Sequence, residues 1–182
     1  MFSGIITDTG KVKSVIRKKN NCILEISTLM NFKKNEIGSS ISCSGVCLTL
    51  ENYKNGIAQF FLSKETLSKT IFKNIKIGND INLEKSLKFG KRISGHFVQG
   101  HIDVTSKVKK IKKLGRSSVI NFKLSSNYKE YLVYKGSITI NGVSLTISKI
   151  LKNGFEISII PHTLKLTNLV TLKEKDIVNV EF

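Results

Sequence analysis

The chain of 182 residues has no tryptophan, one proline and two methionines. A single proline excludes a collagen-like or proline-rich linker protein. Acidic residues are scarce: 13 Asp and Glu stand against 30 Lys and Arg, a formal net charge of +17. There is no run of 18 apolar residues, so no transmembrane helix and no membrane partner are expected. The opening MFSGIITDTG has neither a basic start nor a long apolar stretch, so no signal peptide is expected. The three cysteines, Cys22, Cys43 and Cys47, are too few and odd in number for a disulfide framework. That count fits a reducing compartment, and a cytoplasmic protein is expected. Also missing are the G-x-S-x-G elbow, the P-loop and the G-x-G-x-x-G fingerprint.

The excess charge is almost all lysine, with arginine only at Arg17, Arg92 and Arg116. Lysine is the poorer reader of phosphates and bases. The clusters Lys18-Lys19, Lys33-Lys34 and Lys109 to Lys113 do not reach the density of a basic tail. Lys, Asn and Ile supply 66 of the 182 residues, and all three are favoured by AT-rich codons. Composition therefore accounts for the charge, and no nucleic-acid partner is expected. Apolar residues make up 40% of the chain, enough to bury a real core.

What the chain does have is an internal repeat. Residues 40–50, SISCSGVCLTL, match residues 137–147, SITINGVSLTI, at six of eleven positions. The same spacing of 97 pairs Thr66-Leu67 with Thr163-Leu164, Thr70 with Thr167, Asn82 with Asn179 and Glu84 with Glu181. A spacing of 96 pairs Gly4 with Gly100, Ile6 with Ile102, and Lys11-Val12-Lys13 with Lys107-Val108-Lys109. Two homologous halves result, divided as 1–96 and 97–182, with a basic, glycine-bearing link over 85–95.

Each half reads as mostly β. Gly10 to Val15, Cys22 to Ser27 and Ile57 to Phe61 are β-rich runs, several of them alternating. Ser44-Gly45, Asn55-Gly56, Asn141-Gly142 and Asn153-Gly154 read as tight turns between strands. Leu67, Ile71 and Ile75 recur at helical spacing after Ser63, a candidate cap, and a counterpart starts near His162 or Thr163. Many short strands in so few residues predict a small antiparallel barrel in each half.

Positions where the halves agree in place but differ in chemistry are the candidate sites. Cys47 corresponds to Ser144, Ile5 to His101 and Glu65 to His162, while Thr49 and Thr146 are identical. Strand alternation puts Cys47 with Thr49, and Ser144 with Thr146, on one face. Such a pair can hold a polar heterocycle or satisfy itself within a core. Cys43 and Cys47 with His96 and His101 offer zinc-type ligands. The gap of 48 residues between the pairs is too long for a small finger, and Cys43 corresponds to the apolar Ile140, so no metal is expected. His96 and His101, inside GHFVQGHID, are the densest group titrating near neutrality.

Six segments carry a resemblance: MFSGII, GVCLTL, LSKETL, SGHFVQGHID, YKGSITINGVSLTI and IIPHTLKLTNL. They are similar to the riboflavin synthase alpha-chain family, in family order and over essentially the whole chain. The resemblance implies an all-β fold: two homologous six-stranded antiparallel Greek-key barrels in tandem, each with short helices. Each barrel would bind one 6,7-dimethyl-8-ribityllumazine. A four-carbon unit would pass between the two lumazines, leaving riboflavin and 5-amino-6-(D-ribitylamino)uracil, with no external cofactor.

By match to the family's binding segments, the first site takes Gly4, Ile5, Ile6, Ser40, Cys47, Leu48 and Thr49, with Phe61, Leu62, Ser63, Lys64, Glu65 and Thr66. The second takes Gly100, His101, Ile102, Lys135, Ser144, Leu145 and Thr146, with Ser158, Ile159, Ile160, Pro161, His162 and Thr163. Proton transfer from the 7-methyl group needs a group titrating near neutrality. His101 is the candidate, with Ser144 and Thr146 holding the ring beside it. Cys47 adds to C7 or positions a water that does. Phe2 resembles the family's aromatic lid, and reads equally as an apolar anchor. The family's trimer is held by a C-terminal helix. The repeat here ends at Glu181 and the sequence at Phe182, so a homotrimer is expected to rest on barrel contacts. Two rivals remain: a lumazine- or flavin-binding protein without catalysis, and a basic barrel binding nucleic acid through surface aromatics.

Overall fold

The computed structural model describes residues 1–182. The first half forms β1 (Asp8–Arg17), β2 (Asn21–Ser27), β3 (Ser40–Cys43), β4 (Val46–Lys54), β5 (Ile57–Ser63), helix α1 (Lys64–Lys69) and β6 (Asp80–Lys85). The second forms β7 (Val104–Leu114), β8 (Ser117–Lys123), β9 (Ser137–Ile140), β10 (Val143–Leu151), β11 (Gly154–Ile159), helix α2 (Pro161–Leu166) and β12 (Ile177–Glu181). Each set of six strands closes into a barrel, in the order β1-β2-β5-β4-β3-β6 and its counterpart β7-β8-β11-β10-β9-β12. Strands β3, β4 and β5 follow one another through hairpins, and β6 returns beside β3, the Greek-key arrangement. No helix is long and apolar enough to cross a membrane.

Period-two alternation fills the barrels. Cys22, Leu24 and Ile26 of β2 point inward, as do Ala58, Phe60 and Leu62 of β5, and all six are fully buried. The first core has 18 buried residues and the second 17, with Phe122 and Phe155 stacked in the latter. Three of the four expected turns have the positive backbone angles of a two-residue hairpin: Ser44-Gly45, Asn55-Gly56 and Asn141-Gly142. The fourth differs. Leu151 pairs with Gly154, so the turn is Lys152-Asn153, and Gly154 opens β11 where a side chain would run into the carbonyl of Phe122.

The helical spacing after Ser63 does not make one helix. Ser63 caps α1 by accepting from the amide of Thr66 at 3.1 Å. Thr70 then leaves the helix with an extended backbone, donates to the Thr66 carbonyl at 2.7 Å and caps a separate 3-10 turn, Ile71–Asn74. α2 starts slightly earlier than expected because Pro161 takes its first turn, where no amide proton is needed. Thr167 repeats the role of Thr70.

The barrels meet about an approximate twofold axis. Nδ2 of Asn82 donates to the Asn141 carbonyl and Nδ2 of Asn179 to the Ser44 carbonyl, each at 2.9 Å. Asn168 and Ile71, again equivalent, donate their amides to Asn82 Oδ1 (2.7 Å) and Asn179 Oδ1 (2.9 Å). At the centre Gly45 and Gly142 touch: a Cβ on Gly142 would lie 2.6 Å from the Gly45 nitrogen. The segments before β1 and before β7 then cross over. Ile6 belongs to the core of the second barrel, and its counterpart Ile102 packs on the core of the first. The two straps are tied to each other by an antiparallel bridge between Phe2 and Val98.

Candidate active site

This crossing changes which residues meet. The Gly4 carbonyl accepts from the amide of Ser144 in β10 at 2.8 Å. The Gly100 carbonyl accepts from the amide of Cys47 in β4, also at 2.8 Å. Both glycines have left-handed backbones, φ +74° and +83°, and a Cβ on either would sit 2.7 Å from the Cβ of its partner, Ser144 or Cys47. The expected grouping is thereby corrected. The strap Gly100, His101 and Ile102 lies on the first barrel, and the strap Gly4, Ile5 and Ile6 on the second.

On the first barrel, β4 presents Cys47 half-buried and Thr49 exposed, with Leu48 turned into the core. Ser40 of β3 pairs with Thr49. At the end of β5, Phe61 and Ser63 face outward while Leu62 is buried, and Lys64, Glu65 and Thr66 begin α1. His101 is exposed on the strap, its Nδ1 3.3 Å from Gln99 Oε1. Cys43 is fully buried in the core, so it and Cys47 lie on opposite faces and do not form a ligand pair.

On the second barrel, Ser144 is half-buried and Thr146 exposed, with Leu145 inward. Lys135 precedes β9 and donates its amide to the Ile147 carbonyl. It has a left-handed backbone, φ 64°, where the first half has Gly38. Ser158 and Ile160 face outward beside the buried Ile159, and Pro161, His162 and Thr163 begin α2. Ile5 is exposed on the strap.

The histidine beside Ser144 is not His101 but His96. Its Nδ1 lies 2.7 Å from Ser144 Oγ, and its amide donates to the Ser3 carbonyl at 3.1 Å. Burial pushes its pKa below the ordinary imidazole value. A neutral ring with Nδ1 unprotonated accepts the Ser144 hydroxyl proton and can serve as a base. The His96–Ser144 contact adds to the difference between Cys47 and Ser144 at equivalent positions of the repeat. His96 was visible in the sequence as half of the GHFVQGHID pair, but nothing local assigned it to β10.

Phe2 reads from the sequence as either a lid or an apolar anchor. It is fully buried, exchanges two backbone hydrogen bonds with Val98 and lies against Gly100. It is an anchor between the straps rather than an exposed lid, because the crossing leaves its ring no open side.

The lumazine binding domain family matches this chain twice, over residues 3–86 and 99–182. A riboflavin synthase from Photobacterium leiognathi is 38% identical over 182 residues, covering all of this chain and 84% of that protein. The chain belongs to the riboflavin synthase family. A second riboflavin synthase, from Buchnera aphidicola subsp. Baizongia pistaciae, is 38% identical over 183 residues and is covered to 86%. Among solved structures, LumP complexed with 6,7-dimethyl-8-(1'-D-ribityl) lumazine superposes with a TM-score of 0.87 at 25% identity, covering 100% of this chain and 99% of that one. LumP complexed with riboflavin gives 0.89 at 25% identity, with 100% and 98% covered. Family membership and two lumazine-type barrels agree with what the segments MFSGII to IIPHTLKLTNL implied about fold.

Proposed function

We propose that the chain converts two molecules of 6,7-dimethyl-8-ribityllumazine into riboflavin and 5-amino-6-(D-ribitylamino)uracil, a four-carbon unit passing from one to the other. The two products together hold all the atoms of two substrates, so the transfer needs no oxidant and no resident cofactor. The observation that supports this reading is one binding fold used twice with unlike groups: His96 on Ser144 at 2.7 Å in one site, Cys47 and His101 in the other. Two copies of one substrate in different roles require that kind of inequality.

His96, kept neutral by burial, is the group suited to take a proton from a 7-methyl carbon, directly or through Ser144. Cys47 adds to C7 of the other lumazine or holds the water that does. Thr49 and Thr146 supply outward hydroxyls for the heterocycles, and Lys135 a cation, its Nζ 5.3 Å above the Tyr134 ring. The repeats are taken as 1–96 and 97–182. Holding two lumazines face to face would supply much of the rate by proximity. The half-exposed Phe61 and Ile5, with Ile160 and Phe97 at 60% and 67%, need a cover. A second copy provides it, one chain's first barrel facing its neighbour's second, and a homotrimer closes the set. Three free cysteines suit a cytoplasmic setting.

Incubation with the lumazine alone tests this. One riboflavin should appear, by its yellow absorbance, for every two lumazines consumed. Fluorescence quenching on binding with no yellow product would instead establish a binding protein without turnover. Specific activity should rise with protein concentration in step with light-scattering mass. A demonstrated monomer with constant specific activity would refute a site built between chains.

A further inference from the structure

Two buried carboxylates have no role in the chemistry so far. Glu84 stands near the end of β6 and Glu181 at the end of β12, equivalent positions of the repeat, exposed by only 3% and 7%. Neither forms an ion pair. Leaving a carboxylate buried without a cation is costly unless hydrogen bonds replace water. Glu84 finds them on its own half's strap: Oε1 accepts from the Ser3 amide and Ser3 Oγ, both at 2.7 Å, and Oε2 from the Gly4 amide at 3.0 Å. Glu181 does the same, accepting from the Gln99 amide at 2.7 Å and the Gly100 amide at 3.1 Å. In both straps, successive amides converge on the carboxylate because a left-handed glycine turns the second one inward, a backbone anion nest.

The other end of each glycine lies elsewhere. Gly4 gives its amide proton to Glu84 of the first barrel and its carbonyl to Ser144 of the second. Gly100 gives its amide proton to Glu181 of the second barrel and its carbonyl to Cys47 of the first. We propose that Glu84 and Glu181 are positioning residues that act across the barrel boundary, each holding the strap that completes the other barrel's lumazine site. Glu84 sets the Ser144 backbone, and with it the contact to His96. Glu181 sets the Cys47 backbone and the neighbouring His101. The inference rests on the lumazine-binding reading for the identity of the ligand, though not for the strap geometry.

Site-resolved amide hydrogen exchange on the full chain tests it, followed by titration with 6,7-dimethyl-8-ribityllumazine monitored at the same two amides. In Glu84→Gln, exchange of the Ser144 amide should quicken by about 10- to 100-fold, the loss expected for charge-assisted hydrogen bonds, while the Cys47 amide stays as it was. Glu181→Gln should give the reverse. Lumazine affinity should fall at the same crossed site. Should either Gln variant fail to fold, Glu84→Asp and Glu181→Asp keep the charge but shorten the reach, and the crossed pattern is expected again. A residue that only stabilised its own barrel would loosen that barrel instead. Effects on the same barrel, on both amides equally, or on neither would overturn the proposal. Crossed exchange in a chain that binds no lumazine even unaltered would sink the ligand reading and leave the strap holding supported.

Discussion

His96 and Ser144 are joined by a 2.7 Å contact between Nδ1 and Oγ, although 48 positions separate them in the chain. The contact exists because the strap carrying His96 passes Ser3, whose own strap lies on β10. It sets a half-buried histidine, its pKa lowered by burial, against β10 of the second barrel. His101, the other histidine of the strap, lies three residues beyond Val98 of the Phe2–Val98 bridge and follows Gly100, whose carbonyl accepts from the Cys47 amide of the first barrel.

Turnover should therefore respond to both histidines, but differently. His96→Gln and Ser144→Ala are expected to lower kcat by about 10²–10⁴, the usual cost of losing a positioned acid–base group. The double variant should cost little more than the worse single one, since the pair acts as a unit. His101→Gln and Cys47→Ala should also lower turnover, and their effects should multiply with those of His96→Gln because they lie in the other site. Rates and melting temperatures measured on the same samples check this. Activity falling only with the folded fraction would make the residues structural.

Stability should carry the mark of opposed titrations. Burial lowers the pKa of His96, so just below about 6.5 the unfolded chain binds the proton more readily than the folded one. Stability from this group thus rises with pH across that window and is lost in acid. Burial raises Glu84 and Glu181 despite the hydrogen bonds that lower them, so the folded chain holds protons the unfolded chain has released. Their contribution is complete below the ordinary carboxylate range and declines as pH rises through their folded values. Urea unfolding across pH 4–8 should show a shallower rise below the ordinary imidazole range in His96→Gln. In Glu84→Gln an opposing fall should disappear. An unchanged slope in His96→Gln would rule out a lowered pKa for the half-buried ring.

An isolated first half, residues 1–96, lacks the Gly100–Ile102 strap that covers Cys47. Its own Gly4–Ile6 strap has nothing to lie on. Because Gly4 and Ile6 correspond to Gly100 and Ile102, two copies can exchange straps, each filling the other's vacancy. The half is expected to fold as a dimer that binds lumazine or riboflavin. Light scattering with a fluorescence titration checks it, and a folded monomer that binds ligand would contradict the exchange.

The lysine excess has a local cost. Lys107 of β7 stands directly opposite Lys123 of β8, both exposed. Like charges opposite one another in a ladder repel, and an opposite-charge pair contributes about 0.2–1 kcal/mol. Lys107→Glu should raise the melting temperature modestly, with the gain shrinking in salt. A lower melting temperature at low salt would show that the pair is not under strain.

Local patterns carried much of this protein. The repeat, the inward alternation of Cys22-Leu24-Ile26 and Ala58-Phe60-Leu62, and the positive-φ turns at Ser44-Gly45 and Asn141-Gly142 all depend on neighbours a few residues apart, so they are legible in one dimension. The stretch from Leu67 to Ile75 was less so, because the break at Thr70 depends on a side chain returning to the Thr66 carbonyl. Glu84 and Glu181 left a faint trace, as matching carboxylates of the repeat, without any sign of what they hold. The crossing of the straps left none. Ile6 and Ile102 are interchangeable in pattern, and only packing about the twofold axis determines which core each enters. The sequence by itself determined two barrels and the unlike residue types at equivalent positions of the repeat. Tertiary structure alone decided that His96 meets Ser144 and that Gly100, next to His101, meets Cys47, because that choice is made by hydrogen bonds between segments far apart in the chain.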